Sequence, residues 1–377
     1  MKIRIIICNT GRVYFLCPAR LILEVKAIDY INKKEFEISG IINWHKQGYT
    51  GKGVKIANIE KCNTNVWYLK KTVNDPFLNA KQEKENSHGN QTLNMISQVA
   101  PDADFYTLPR GGIYVKDNAT GEFIENSLPY IISEGICLVN ASFGGVDNKI
   151  LNEAILNVQK HGTAFICSAG NSGDRGASPY AKSGVWIAVG AVVLNTREEI
   201  KLTTYSSVDE AVDFVQFSET YVNDVRDDYR DRLIHCGGTS FSSPLLTGML
   251  ALVQQFFKGI TGQYLKQNEL YQFMMDNSVD LGDEGKDTKY GHGLFVLPNP
   301  DDIDVSKYAE LPIEGGDNME TFPDLDGHWG EKYVRHWVEK GLFDGYEDGT
   351  IKPDRSLTRA ELAKVLYYYD KLRGGIR

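Results

Sequence analysis

The chain reads as an α/β protein built on a parallel sheet flanked by helices, followed by a small helical hairpin. Three observations predict this. The short apolar runs "GICLVNASF", "TAFICSAGN" and "GVWIAVGAV" are bounded by Gly and polar residues and have strand lengths. Between the first two lies "NKILNEAILNVQKHG", where Ile150, Ala154, Ile155 and Val158 share one helical face and Gly162 is the stop. Strand, helix, strand at this spacing calls for crossover connections, and so for parallel strands covered on both sides.

Size and composition fit that architecture. At 377 residues, 42% apolar and 24% charged, the chain is long enough for a large core and for more than one domain. A net charge of −9 argues against a nucleic-acid partner, which calls for a basic face. No apolar run approaches the ~18 residues of a membrane span. Cys8, Cys17, Cys62, Cys137, Cys167 and Cys236 are scattered without a CxxC pair, several of them inside apolar stretches. A zinc site or disulfide framework is therefore not expected, and synthesis in a reducing compartment is.

Taken in order, the elements begin with "MKIRIIICNTGRVYFLCPAR". Its apolar run is cut by Asn9, Thr10, Gly11 and Arg12, which predicts a β-hairpin with "CNTGR" as its turn and no recognisable signal peptide. "VKIANIEKCNTN" is a short strand that runs out onto a single carboxylate, Glu60. In "CGGTSFSSPLLTGMLALVQQFF", Leu246, Met249, Leu250, Val253 and Phe257 recur at helical spacing and Ser240 stands at the start. Pro244 is expected in the first turn, where its missing N–H costs nothing. A hydroxyl at that point meets unpaired backbone N–H groups that would stabilise a growing oxyanion. The same stretch also reads as an ordinary N-cap on Thr239 or Ser240.

Residues 299–321 are rich in Pro, Asp, Glu and Gly and read as a linker. Residues 322–374 follow as a compact module. Its first helix is expected to place Trp329, Tyr333, Trp337 and Val338 on one face, with Gly341 as its end and "GYEDGT" as a turn. A second helix is expected to pack Leu362, Val365, Leu366 and Tyr369 inward. A unit of this size is small for independent folding.

Six stretches, taken together, resemble the subtilisin-like serine proteases (subtilases). "GTSFSSP" resembles their nucleophile motif, "NSHGNQTLNMISQVAPDADFY" their histidine segment and "VNASFGG" their substrate-binding strand. "SAGNSG" resembles the loop that supplies an oxyanion-hole amide, "GYTGKGVKIANIE" the strand bearing the acid, and "YGHGLFV" the closing segment. The likeness covers residues 36–298, leaving residues 1–35 as a short strand-rich extension. It implies that Ser240 attacks the scissile carbonyl and that His88 takes its proton. Asn171 and the Ser240 N–H would hold the oxyanion, and the Ser142–Phe143–Gly144 backbone would pair with a peptide substrate as an added strand. Read alone, His88 is equally a structural histidine and Asn171 equally a turn residue.

The resemblance departs from the family at the acid. Subtilases carry an aspartate followed by a small residue and glycine; this chain has Glu60, Lys61 and Cys62. Ser-His-Glu arrangements serve other hydrolase folds, so Glu60 is expected to work as the acid with a locally altered backbone. The chemistry implied needs no cofactor. The loop from Glu60 to His88 is short, so the family's commonest calcium site is not assured and the sequence leaves structural calcium, like any other metal, undecided. The segment before residue 36 is shorter than the family's usual folding-assistant propeptide.

The C-terminal module resembles an S-layer homology (SLH) domain through "FPDLDGHW" and "GYEDGTIKPDRSLTRAE". This resemblance implies an anionic cell-wall polysaccharide as ligand, with Arg359 facing the acidic group and Asp324 and Trp329 as weaker candidates. Thr358 and Glu361 are explained without a ligand, as a capping box. A single SLH copy implies weak binding or self-association. The expectation is a serine endopeptidase acting on protein or peptide, made without an export signal in the cytoplasm yet carrying an envelope-binding module. Its rival is a catalytically impaired subtilase scaffold that binds cell wall or serves a structural, even phage-encoded, role.

Overall fold

The computed structural model describes the backbone of three N-terminal strands and then residues 30–60, 62, 66–76, 87–109, 126–145, 147–224, 232–309, 322–339, 345–346, 348–356, 358–359 and 362. Strands β1 (Ile5–Cys8), β2 (Arg12–Leu16) and β3 (Ile22–Lys26) form an antiparallel sheet, with Cys8 opposite Arg12 across the expected turn. The main domain then runs through α1 (Lys33–Ile38), α2 (Ile41–Lys46), β4 (Lys55–Asn58), α3 (Ser87–Val99), β5 (Asp104–Thr107), α4 (Leu128–Glu134) and β6 (Leu138–Ala141). It continues through α5 (Lys149–Gln159), β7 (Ala164–Ser168), α6 (Pro179–Lys182), β8 (Ile187–Leu194), β9 (Ile200–Leu202) and β10 (Phe214–Phe217). The hairpin β11 (Thr220–Asn223) and β12 (Leu233–Cys236) leads into α7 (Thr239–Thr261), then α8 (Gln267–Asp276), β13 (Ser278–Val279) and β14 (Leu294–Phe295). The C-terminal module contributes α9 (Glu331–Glu339).

Among the described residues the main sheet runs in the order β13-β14-β10-β8-β7-β6-β4-β5, with β9 paired to β8. Every pair from β14 to β5 is parallel; only β13 and β9 join antiparallel. Successive strand residues alternate between two cores, as strand geometry requires. Ile56, Leu138 and Ile166 face one that contains α3 and α7, while Ala57, Val139 and Phe165 face the other, with α4 and α5. Both faces are thus covered, which explains why the strands read as continuous apolar runs.

Several local expectations shift. In α5 the buried stripe is Leu151, Ile155 and Val158, while Ile150 is 69% exposed. The Asn148 side chain caps the helix, accepting from the N–H groups of Ile150 and Leu151, and Leu151 packs in the core with Ile155 and Val158. The N-cap of α7 is Gly238, so neither Thr239 nor Ser240 is the cap, and Pro244 sits in the second turn. There its missing N–H removes the helical partner of the Ser240 carbonyl. The start of the predicted linker is docked: Ile303, Val305, Tyr308 and Ala309 pack on the main core.

In the C-terminal module Phe322, Leu325 and Ile351 form a small core, joined by Val334 and Val338. Trp329 and Tyr333 are 83% and 63% exposed, so the expected aromatic face of α9 is not its inner face. The inner pair is Val334 and Val338, four residues apart; Val338 packs inward as expected and Trp337 is half-buried. The "GYEDGT" turn closes through Tyr346 N–H to Thr350 O at 2.8 Å. Leu362 is 47% exposed rather than packed inward. Gly341, Glu361, Val365, Leu366 and Tyr369 lie outside the described residues.

Candidate active site

Two helices bring the candidate residues together. His88 is the second residue of α3 and Ser240 the second of α7. The helices cross closely because Gly248 has no side chain: a Cβ there would come 2.6 Å from Val99 Cβ. Leu93, Ile96 and Val99 of α3 and Leu246, Met249 and Leu250 of α7 are all buried in the same core. The apolar pattern of both segments therefore sets the approach of their first turns.

Glu60 lies just beyond β4, where the chain leaves the sheet, and its side chain is fully buried. Its carboxylate oxygens lie 2.8 and 3.0 Å from His88 Nδ1, whose side chain is 38% exposed. The backbone around Glu60 is bonded by Thr107 of the neighbouring strand β5. Thr107 Oγ1 donates to the Glu60 carbonyl (2.6 Å) and accepts from Cys62 N–H (3.2 Å), clamping the backbone on both sides of residue 61. Cys62 itself is a buried core residue, which accounts for a small apolar side chain there.

Ser240 is half-buried, and its Oγ donates to the Ser142 carbonyl at 3.0 Å rather than to His88. The ring of the next residue, Phe241, lies 6.0 Å edge-on from the His88 ring. Asn171 is oriented by α7, the helix that carries Ser240. Its Oδ1 accepts from Thr239 N–H (2.9 Å) and Thr239 Oγ1 (3.0 Å), which assigns Nδ2 to the outward side as a donor. Gly238 makes this approach feasible: with φ +108°, it adopts a backbone conformation that residues with a Cβ rarely hold, and it passes against the Asn171 amide.

The Ser142–Gly144 edge is only partly open. The Ser142 carbonyl is held by the Ser240 hydroxyl, and the Gly144 carbonyl accepts from Tyr180 N–H at 3.0 Å. Phe143 is buried against Tyr180, at a ring separation of 5.7 Å. Beneath the edge runs a buried polar chain. Asn140 Nδ2 donates to Asn58 Oδ1 (2.8 Å) and Ser142 Oγ (2.9 Å), and Asn58 Nδ2 donates to Thr92 Oγ1 (3.1 Å). Ser142 Oγ also meets Ser243 Oγ at 3.3 Å, so β4, β6, α3 and α7 share one hydrogen-bonded floor. Thr107, Asn58 and Asn140 were not singled out from sequence. The available signal was a polar residue interrupting or ending each of three buried strands.

In the C-terminal module Arg359 and Trp329 are exposed. Asp324 is committed: its carboxylate accepts from Ile351 N–H and Lys352 N–H, the latter at 2.7 Å, and so staples the loop. Among the described residues no cluster of three or more His, Cys, Asp or Glu side chains is arranged to hold a metal, and no helix is long and apolar enough to cross a membrane.

Comparison with known proteins agrees with this architecture. The chain is 28% identical over 288 residues to the major intracellular serine protease of Bacillus subtilis, a match covering 69% of this chain and 86% of that protein. It is 24% identical over 296 residues to a thermostable alkaline protease of Halalkalibacterium halodurans, covering 72% and 76% of the two chains. Among solved structures, that of a lanthipeptide protease superposes with a TM-score of 0.57 at 18% identity, covering 70% of this chain and 92% of that one, a likeness of fold. The C-terminal region matches the S-layer homology domain profile over residues 321–363. It is 44% identical over 69 residues to a cellulosome-anchoring protein of Acetivibrio thermocellus, of which only 15% is covered. The profile described as the subtilase family matches residues 65–293, more than half of the chain, and the protein belongs to that family.

Proposed function

We propose that the protein is a serine endopeptidase that cleaves peptide bonds through an acyl-enzyme on Ser240, using a Ser-His-Glu triad. The observation that carries this reading is the 2.8 Å contact between the fully buried Glu60 and His88 Nδ1. Near the N-terminus of α3 the helix dipole disfavours positive charge. A carboxylate on Nδ1 offsets that and leaves Nε2 as the base. A substrate N–H that takes the Ser142 carbonyl would release the Ser240 hydroxyl toward His88. Ser240 Oγ then attacks the carbonyl carbon and its proton passes to His88 Nε2. The oxyanion is held by the Ser240 N–H and Asn171 Nδ2. Collapse of the intermediate breaks the C–N bond, His88 returns the proton to the leaving amine, and water hydrolyses the ester by the same route. No cofactor enters this scheme.

A fluorophosphonate probe tests it: wild type is expected to label at Ser240, and Ser240→Ala and His88→Ala to lose both labelling and peptide cleavage. The second reading, an inactive scaffold, draws support from the Ser240–Ser142 hydrogen bond, which turns the hydroxyl away from the base. Absence of labelling in folded wild type would favour it.

The SLH module is proposed to hold the enzyme at the cell envelope by binding an anionic wall polysaccharide. The exposed Arg359 is its charged contact, and the likeness to an anchoring protein supports the reading. Sedimentation with purified wall polymer should retain wild type and lose most of Arg359→Ala. Equal retention of the two would remove Arg359 from the site.

A further inference from the structure

A cluster of titratable side chains, Tyr205, Glu219 and His235, stands behind the nucleophile and has no part in the scheme above. Tyr205 Oη donates to Glu219 Oε1, lies 2.8 Å from Ser218 Oγ and accepts from Gly238 N–H at 2.9 Å. The other Glu219 oxygen faces His235 Nε2 at 3.4 Å. The carboxylate presses against the chain that carries the nucleophile: a Cβ at Gly237 would come 2.6 Å from Glu219 Oε1. Burial, and next the bond to Glu219, raise the Tyr205 hydroxyl above the usual phenol range, so it stays a neutral donor. Burial followed by the Glu219 charge pushes the neighbouring Cys236 thiol up to about 11, so it too stays neutral.

The anchor falls where the backbone most needs one. Gly238 holds φ +108° and ψ 156°, and its carbonyl accepts from Phe241 N–H at 2.9 Å. Thr239 N–H is taken by Asn171. Of the four N–H groups from Gly238 to Phe241, the Ser240 N–H alone has no acceptor among the described residues. Its direction is set through the peptides before it: Asn171 holds the adjacent Gly238–Thr239 peptide, and Tyr205 holds the Gly237–Gly238 peptide that precedes that one.

We propose that Tyr205, locked by Glu219, is a positioning residue that pins the Gly238 peptide and thereby fixes the spacing of the two oxyanion donors, Ser240 N–H and Asn171 Nδ2. The proposal rests on the protease reading. Misplacement of reacting groups by ~1 Å costs on the order of 10²-fold in rate. Tyr205→Phe, which keeps the ring and removes the hydroxyl, is therefore expected to lower kcat by about 10- to 100-fold with KM unchanged. Glu219→Gln keeps an acceptor for Tyr205 and should retain most of kcat, whereas Glu219→Ala should fall with Tyr205→Phe.

The test is steady-state cleavage of a fluorogenic peptide by wild type and these three variants, with melting temperature measured beside it. Tyr205→Phe that melts lower but keeps wild-type kcat overturns the proposal and leaves the protease reading standing. If Tyr205→Phe does not fold, the Glu219→Gln and Glu219→Ala pair decides, and equal kcat in the two overturns it. Wild type inert to peptide and fluorophosphonate alike overturns the protease reading and this one with it.

Discussion

At Ser240, the proposed nucleophile, nearby backbone groups are tied down: Gly238 N–H by Tyr205, Thr239 N–H by Asn171, and Phe241 N–H by the Gly238 carbonyl. At the acid, Ile59 N–H bonds to the Asn140 carbonyl, and the Thr107 hydroxyl, from a neighbouring strand, bonds to the backbone of both Glu60 and Cys62. Both are held by side chains distant in sequence, but the first needs a glycine at φ +108° and a particular amide at residue 171. Among the described residues the second binds backbone groups, and it tolerates a different residue type provided the neighbour supplies the bonds. That difference accounts for a family-like nucleophile motif standing opposite an acid segment that departs from the family.

Substitutions that attack each end should therefore differ in kind. Among substitutions of the residues that tie the two turns, the larger effect is expected at the Ser240 turn. Asn171→Ala removes one oxyanion donor and should lower kcat by about 10²–10³ with little change in KM. It also strips the acceptor from Thr239 N–H, so a sharply raised KM would indicate that the turn had moved instead. The smaller effect is expected at the acid. Thr107→Val preserves volume but removes the clamp, costing about 1–3 kcal/mol of stability for a buried lost partner. Its kcat should fall only a few-fold, because Glu60 stays buried against His88. Urea unfolding together with peptide cleavage would separate the two outcomes. If Thr107→Val lost as much kcat as Asn171→Ala, the turn at Glu60 would be as strictly constrained as the turn at Ser240 and the comparison would fail.

The sequence was most readable where function is written into a contiguous run. The alternation of strands with α5 predicted the sheet, and the long apolar run after Ser240 predicted that residue's place at a helix start. Glu60 was legible as a strand-end carboxylate and is found beside His88. What escaped were features made by tertiary approach. In α5 it is Leu151 and not Ile150 that packs in the core, and periodicity alone could not tell the two apart. Thr107 and Tyr205 act through bonds to backbone groups distant in sequence and Glu219 through the Tyr205 hydroxyl, and no spacing rule marks them. In the C-terminal module Trp329 and Tyr333 are apolar by type yet exposed, which apolar patterning reads as core.

The central claim is that Glu60 steadies His88 as the base for Ser240. Comparing kcat/KM of wild type with that of Glu60→Gln on one peptide tests it most directly, with circular dichroism confirming the fold of both. An amide cannot balance the imidazolium, and the analogous change in another serine protease triad costs about 10⁴-fold. A loss on the order of 10³–10⁴ is predicted. A folded Glu60→Gln variant that cleaves within a few-fold of wild type would contradict the account.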